Sequence, residues 1–474
     1  MILAGEHAYK FKKPVDFGFL DYSTLARRRH YCELELALNA RYAPDLYVDV
    51  LPVTAGPTLG GTGPVLEWVL RMRRFATSER LDVALGDGRV GSEDIVAIAQ
   101  GLAAVHAHAP GAPAPGRYGA PTLVRSQLLA GLDVLSDALP DFAAFLHALE
   151  NAVAAHVAAI EDRLQAGHVR DCHGDLHLTN LVRHAGRWQS FDCIEFDDEL
   201  RFIDTASDLA FLLMDFDVRG HSAFANRLLN EYLAASGDYG LLTVLDLYLL
   251  YRTVVRAKVA QLSARGSAAD AARARAARHL ELAHRYLVPR APPALVLTHG
   301  VSGSGKSFHA RRLADARGFV HLRSDIERKR QASGAQDLYA QGRTDATYDR
   351  LLHLSEGLLG KGWSVIVDAT FLARERRAPF IELAERRGAT LVILDCDAPR
   401  EVLESRIVAR QAAGTDPSDA TVEVLARQLA AREPLSDAEL RYAIPAQELD
   451  DARLATLPGG SRLVPARADA DQTA

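Results

Sequence analysis

Cysteine is scarce in this chain: Cys32, Cys172, Cys193 and Cys396 are the four in 474 residues, and no two form a C-x-x-C pair. That scatter excludes a zinc ribbon or a disulfide framework and makes a reducing cytoplasm the natural location. Long apolar runs are also missing. The most apolar stretch, LLTVLDLYLLYRTVV (241–255), is too short for a membrane span and carries Asp246, so it reads as a core helix and no membrane partner is expected. The opening MILAGEHAYKFKK has no basic segment followed by an apolar core, which excludes a signal peptide. Basic residues are not in excess: 55 Lys and Arg against 61 Asp and Glu give a net charge of −6. A broad nucleic-acid-binding face is therefore disfavoured. Internal repeats are absent. What remains is a soluble globular composition, 48% hydrophobic and 24% charged, long enough for two to four domains of roughly 100–200 residues.

The chain divides clearly at VPRAPPA (288–294), a Pro-rich linker after the Ala/Arg helix AADAARARAARHLELAHRYL (268–287), whose arginines read as a solvated face. The expected organisation is a first domain over 1–287, the linker 288–294, a second domain over 295–455 and a flexible tail over 456–474, rich in Ala and Asp.

The first domain contains CHGDLHLTN (172–180). His173, Asp175 and His177 alternate and could face a zinc or iron ion together, but the further ligand such an ion needs is not supplied. A phosphotransfer loop fits better. There one Asp takes the proton of an acceptor hydroxyl, and an Asn five residues on holds magnesium. Asp175 and Asn180 have that spacing. The hairpin NLVRHAGRWQSFDC then delivers a second magnesium carboxylate, Asp192. His173 and His177 are read as structural, orienting the loop, and Cys172 as a small buried hydrophobe.

A lysine on a strand and a glutamate on the next helix would hold the α- and β-phosphates of ATP. HAYKFKKPV alternates with Lys10 and Lys12 on one face, and a helix from Ser23 or Thr24 towards Pro44 offers Glu33 or Glu35. PVLEWVLRM (64–72) reads as a strand leading into a linker. The backbone around Glu67 and Trp68 would meet the adenine there; the plainer reading of Glu67 is a surface strand residue. FAAFLHALENAVAAHVAAIEDRL (142–164) has a 3.6-period apolar face. In FIDTASDLAFLLMD (202–215), Asp208 is expected to bond the loop backbone, with an N-cap as the alternative. His106 and His108 are read as structural.

HGDLHLTN, FDCIEFDD and DTASDLAFL resemble the aminoglycoside phosphotransferase family, whose fold is protein-kinase-like α+β. The resemblance covers 1–287. It implies Asp175 as catalytic base and Asn180 and Asp192 as magnesium ligands. It carries no single substrate, because that family also acts on choline, sugars, homoserine and methylthioribose. One departure stands out: nine residues precede Lys10, fewer than a hairpin that lays a loop over the phosphates requires. GGTG (60–63) follows the lysine helix and fits a hairpin turn instead. The expectation is either a start further upstream or a missing phosphate lid with weaker ATP binding.

The second part opens with ALVLTHGVSGSGKSFHARRLA (294–314), an apolar strand entering Gly300-x-x-x-x-Gly305-Lys306-Ser307 and then a helix. In that context backbone N–H groups cradle the β-phosphate, Lys306 neutralises the β/γ oxygens and Ser307 ligates magnesium. Gly300, Gly303 and Gly305 permit the wrap, and Ser304 lies within it. VHLRSDIERKR, WSVIVDATF and ATLVILDCD add apolar strands between helices, which predicts an α/β fold with a parallel sheet. Asp325 and Asp368 fall at carboxyl ends of those strands, where reactive groups gather. Asp325 could take the acceptor proton and Asp368 could support magnesium through water. Arg406 and Arg410, one helical turn apart, read as a lid bringing positive charge to the transferring phosphate, with a solvated helix face as the alternative.

GVSGSGKS, RSD, VDAT and the R-x-x-x-R pair resemble P-loop kinases of the zeta-toxin and polynucleotide-kinase group, which includes gluconate kinase and chloramphenicol phosphotransferase. The whole chain resembles bacterial fusions of the two domain types. The expected activity is ATP- and Mg2+-dependent transfer of the γ-phosphate to hydroxyl groups of small molecules at two sites. The rivals are a 5′-end nucleic-acid kinase in the second domain, and a nucleotide-gated binding or regulatory protein with one inactive domain.

Overall fold

The computed structural model describes residues 1–457 other than 17, 19, 57, 114–115, 332–340 and 414–419. The expected tail, beyond Leu457, lies outside the described residues. The chain forms two compact units. One comprises Met1–Arg219 and Gly240–Leu287; the other comprises Gly220–Tyr239 and the chain from Val288 onward.

The first unit opens with β1 (Ile2–Ala4) and β2 (His7–Phe11), an antiparallel hairpin turning at Gly5, whose φ is +57°. Contrary to the expectation from their number, the nine residues before Lys10 do suffice for a hairpin, because its first strand is only three residues long. The two strands join β3 (Tyr47–Thr54), β4 (Thr58–Leu59) and β5 (Val65–Arg73) in an antiparallel sheet of order β1-β2-β5-β3-β4. The helix Leu25–Asn39 starts at Thr24, whose Oγ1 accepts from Arg27 N–H at 3.2 Å. It packs Cys32 and Leu36 against Leu46, Leu70 and Met72 of the sheet and its flank. The period of two along β2 keeps Lys10 and Lys12 on one side, as the alternation predicts.

The rest of this unit is largely helical. The helix Phe142–Gln165 buries Phe145, Leu149, Val153 and Ile160, the stripe expected from its sequence. By length and composition alone it could also cross a membrane. Two short ladders carry the loops of interest. β6 (Val169–Asp171) pairs with β9 (Phe202–Asp204), and β7 (Leu181–His184) pairs with β8 (Arg187–Ser190) around the expected turn at Ala185 and Gly186, whose φ values are +48° and +74°. The helix Thr205–Val218 is buried from Thr205 to Asp217.

The second unit holds β10 (Ala294–His299), β11 (Val320–Arg323), β12 (Val365–Asp368), β13 (Thr390–Asp395) and β14 (Ala443–Pro445) in a parallel sheet of order β11-β12-β10-β13-β14. Ala294, read as linker, already pairs with Thr390 in the sheet. β10 and β12 are buried throughout, which is why they read as continuous apolar runs. The core packs Val296, Ile366 and Val392 against Leu313, Ala314 and Phe319.

Candidate active sites

In the first unit the loop after β6 is held from below. Asp208, in the helix Thr205–Val218, accepts from His173 N–H at 3.1 Å and Gly174 N–H at 2.9 Å. Asp215, in the same helix, accepts from Leu178 N–H at 2.9 Å. The loop bonding expected of Asp208 is therefore present, and His106 adds a contact to its Oδ2 at 3.2 Å. Gly174 lies at φ +83°, and a Cβ there would stand 2.7 Å from the Leu200 carbonyl. Asn180 donates to both the carbonyl (3.0 Å) and Oδ2 (3.2 Å) of Asp175. Burial alone would raise the Asp175 carboxyl; His177 and His173 more than offset it and bring it down to about 2. Asp175 is then ionised across the working pH range.

The histidines do not converge on a metal. His173 Nε2 turns to the Phe191 carbonyl at 2.9 Å, while His177 sits between Asp175 Oδ2 at 3.4 Å and Thr179 Oγ1 at 2.7 Å. Among the described residues, the ligand atoms that gather within 4.8 Å belong to His106, Cys172 and Asp208. Both Asp208 oxygens there are already committed to the loop backbone. His108 bonds the Ala104 carbonyl of its own helix at 2.8 Å. Cys172 is fully buried, and burial pushes its thiol well up.

Above the loop, Glu35 is shared by both lysines: Oε1 binds Lys10 Nζ and Oε2 binds Lys12 Nζ, each at 2.7 Å. Glu33 points outward and pairs with Arg29 at 2.8 Å. Lys10 also bonds Asp192, and Lys12 bonds Glu195, to which the Tyr22 hydroxyl donates as well. Burial pulls Lys10 down, yet Glu35 and Asp192 hold its ammonium well above the usual lysine range. Asp192 adopts φ +63°, and its N–H donates to Tyr47 Oη at 2.9 Å. Phe191 N–H bonds the Asn180 carbonyl at 2.9 Å, so the hairpin base brings Asn180 beside the Asp192 segment. Lys10, Lys12, Asp175 and Asp192 line one open cavity. Oxygen donors of Asn180 and Asp192 suit Mg2+.

Glu67 is not at a linker. It sits mid-strand, opposite Val53, with Arg28 Nε at 2.9 Å from both carboxylate oxygens. β5 runs on to Arg73, so the segment leaving the strand begins at Arg74.

In the second unit, the loop after β10 closes tightly. A Cβ on Gly300 (φ +142°) would stand 2.2 Å from the Cys396 carbonyl, and one on Gly303 (φ +83°) 2.9 Å from that of Leu403. Gly305, at φ +94°, is the N-cap of the helix Lys306–Arg317. Among the described residues the buried Ser304 Oγ has no partner. A cavity of about 390 Å³ holds Lys306, Ser307, Asp325, Asp368, Arg406 and Arg410 along its wall. Lys306 Nζ rests on the Val301 carbonyl at 2.7 Å, and burial lowers its pKa despite Asp368 and Asp325 nearby. Arg406 reaches the Gly303 carbonyl at 3.2 Å, and Arg410 the Ala420 carbonyl at 3.2 Å. Asp325 pairs with Arg328 at 2.7 Å. Burial would raise Asp368, but His321, Arg323 and the Ser307 hydroxyl hold its carboxyl far below the usual range. An anionic Asp368 bonded to Ser307, below a glycine-lined cradle of N–H groups, fits Mg2+ and a polyphosphate.

Sequence reasoning missed Gln428, whose Oε1 accepts from Ser302 N–H at 2.7 Å within the cradle, and also Tyr22, Glu195 and His321. Glu195 follows Asp192 in FDCIEFDD and could have been found from that acidic cluster. Nothing local marks the others.

The chain matches the Phosphotransferase enzyme family over residues 39–245 and the AAA domain over residues 295–435. The uncharacterized protein Rv2004c of Mycobacterium tuberculosis (strain ATCC 25618 / H37Rv) is 33% identical over 449 residues, spanning 91% of this chain and 88% of that protein. The uncharacterized protein Mb2027c of Mycobacterium bovis has the same identity and coverage. Among solved structures, an ethanolamine kinase of Plasmodium vivax is 12% identical, covering 60% of this chain and 77% of that one, with a TM-score of 0.36. A gluconokinase of Sinorhizobium meliloti 1021 is 24% identical, covering 36% of this chain and 95% of that one, with a TM-score of 0.27.

Proposed function

Because this chain belongs to the family of Rv2004c and itself carries a phosphotransferase-family domain followed by a P-loop kinase-like domain, we propose that it is an ATP-dependent phosphotransferase with two nucleotide sites. Each site transfers to a hydroxyl group of a small molecule. The observation that carries the reading is the convergence of Lys306, Ser307, Asp325, Asp368, Arg406 and Arg410 on one cavity.

Mg-ATP, when bound, supplies the electrophilic γ-phosphoryl group at each site. In the first site Asp175 accepts the acceptor proton. Its low basicity suits a loose transition state in which the proton leaves late. Asn180 and Asp192 would hold magnesium, and Lys10, fixed by Glu35, would hold the phosphates. Lys10 must exchange Asp192 for phosphate as nucleotide enters. In the second site Asp325 orients the acceptor hydroxyl, and Ser307 and Asp368 form the magnesium side. Lys306, Arg406 and Arg410 neutralise charge developing on the transferred group.

The test is a screen of hydroxyl metabolites with γ-labelled ATP against the wild type, Asp175→Asn and Lys306→Ala. Loss of one labelled product in each variant supports two sites. If Lys306→Ala abolished every transfer, the first domain would be reduced to a binding or regulatory role.

A further inference from the structure

β11 is the free edge of the parallel sheet among the described residues, and an edge strand presents unpaired backbone groups. The helix Ser222–Ser236 covers it, although that helix lies in the part of the sequence that matches the phosphotransferase family. Its Asn230 donates from Nδ2 to the Phe319 carbonyl at 3.0 Å and accepts through Oδ1 from His321 N–H at 2.8 Å. One carboxamide thus bonds the strand as a neighbouring peptide would. One turn earlier, Asn226 donates to the Asp315 carbonyl at 2.9 Å, and Arg227 Nε reaches Asp315 Oδ1 at 2.9 Å.

His321, whose backbone is held in this way, turns its ring inward. Nε2 stands 3.1 Å from Asp368 Oδ2, and both side chains are buried. Arg323 Nε approaches the same oxygen only to 3.9 Å. Ligand carboxylates take their orientation from such outer bonds.

We propose that His321 is a positioning residue of the P-loop site: with its proton on Nε2 it donates to Asp368 and fixes the carboxylate beside Ser307 for the divalent cation, while Asn230 holds the strand that carries it. This rests on the reading of Ser307 and Asp368 as the magnesium side. It makes a helix from the other half of the sequence part of the P-loop machinery.

The experiment uses the full chain carrying Asp192→Ala, which removes a magnesium carboxylate from the first site. Binding of a fluorescent ATP analogue is titrated at a series of Mg2+ concentrations, and Mn2+ binding is followed by electron paramagnetic resonance. His321→Ala should raise the Mg2+ concentration for half-maximal binding by about 10-fold or more, with metal-free nucleotide binding unchanged. His321→Gln keeps an N–H near the Nε2 position and should recover most of the loss. Asn230→Ala should shift the same curve in the same direction, by less. An unchanged Mg2+ dependence in a folded His321→Ala protein would overturn the proposal. If that variant does not fold, an unshifted Mg2+ curve for Asn230→Ala overturns the proposal equally. Lys306→Ala separates the two levels: if it leaves Mg-nucleotide binding intact, the reading of the site fails, and the role of His321 with it.

Discussion

Lys10 and Lys12 share Glu35 but should fail differently when removed. The Lys12 side chain is 3% exposed, and its partners Glu35 and Glu195 are 0% and 7% exposed. Lys12→Met strips a cation from two buried carboxylates. Breaking a buried pair by deleting one partner costs about 3–5 kcal/mol. Lys10 still serves Glu35 and the Tyr22 hydroxyl still serves Glu195, which places the loss near the lower end, about 3 kcal/mol. For a unit of this size that corresponds to roughly 6–12 °C in melting temperature. Lys10 is 26% exposed and its second partner Asp192 47%; Lys10→Met leaves Lys12 on Glu35 and should cost about 1 kcal/mol or less. The functional order is reversed, because Lys10 is the lysine beside Asp192. Scanning calorimetry of the full chain reads the stabilities. Nucleotide titration in a Lys306→Ala background reads the first site. Equal melting losses, or normal first-site nucleotide affinity in Lys10→Met, would refute this division of labour.

His279 is buried, its Nδ1 has no partner among the described residues, and burial lowers its pKa to about 4. The unfolded chain takes up this proton first, so stability is full above pH 6.5 and falls between about 6.5 and about 4, by up to about 3 kcal/mol; denaturant titrations against pH should show this slope flattened in His279→Leu. Gly300→Ala forces a side chain against the Cys396 carbonyl at a φ of +142°. It should abolish nucleotide binding at the second site, measured by calorimetric titration, while Asp175-dependent transfer persists. A fragment starting at Val288 lacks Asn230 and Arg227 and should melt well below the second unit in the full chain, with a peptide of residues 220–239 raising its melting temperature in trans. The loop 172–180 should need added Mg2+ for turnover, and elemental analysis showing one tightly bound zinc or iron per chain, lost in His177→Ala, would contradict that.

How far the sequence could be read depended on whether the partners lay close along the chain. Asp175 and Asn180 are five residues apart and bond each other, and the Ala185–Gly186 turn lies in one short hairpin, so both were legible. The choice between Lys10 and Lys12 was not, because a period of two puts both on one face. Glu33 against Glu35 was open to a finer reading. The two stand about 200° apart on a helix; Glu33 is four residues from Arg29, an outward ion pair, whereas Glu35 shares the face of Cys32 and Asn39, both buried. The two readings of Glu67 could not be separated in the sequence, because its partner, Arg28, is 39 residues away and gives no local sign. The helix Ser222–Ser236 shows the limit most clearly. Its period marks Leu229, Tyr232 and Leu233 as a buried face, but periodicity says only that a face is buried, not in which core. Its polar positions, Asn226, Arg227 and Asn230, would each pass for solvent-facing residues. They are the ones that bond Asp315 and the edge of β11. A polar side chain that completes another segment's backbone ladder looks the same in sequence as one that meets water. The residues joining this helix to the P-loop unit therefore had to be seen in three dimensions.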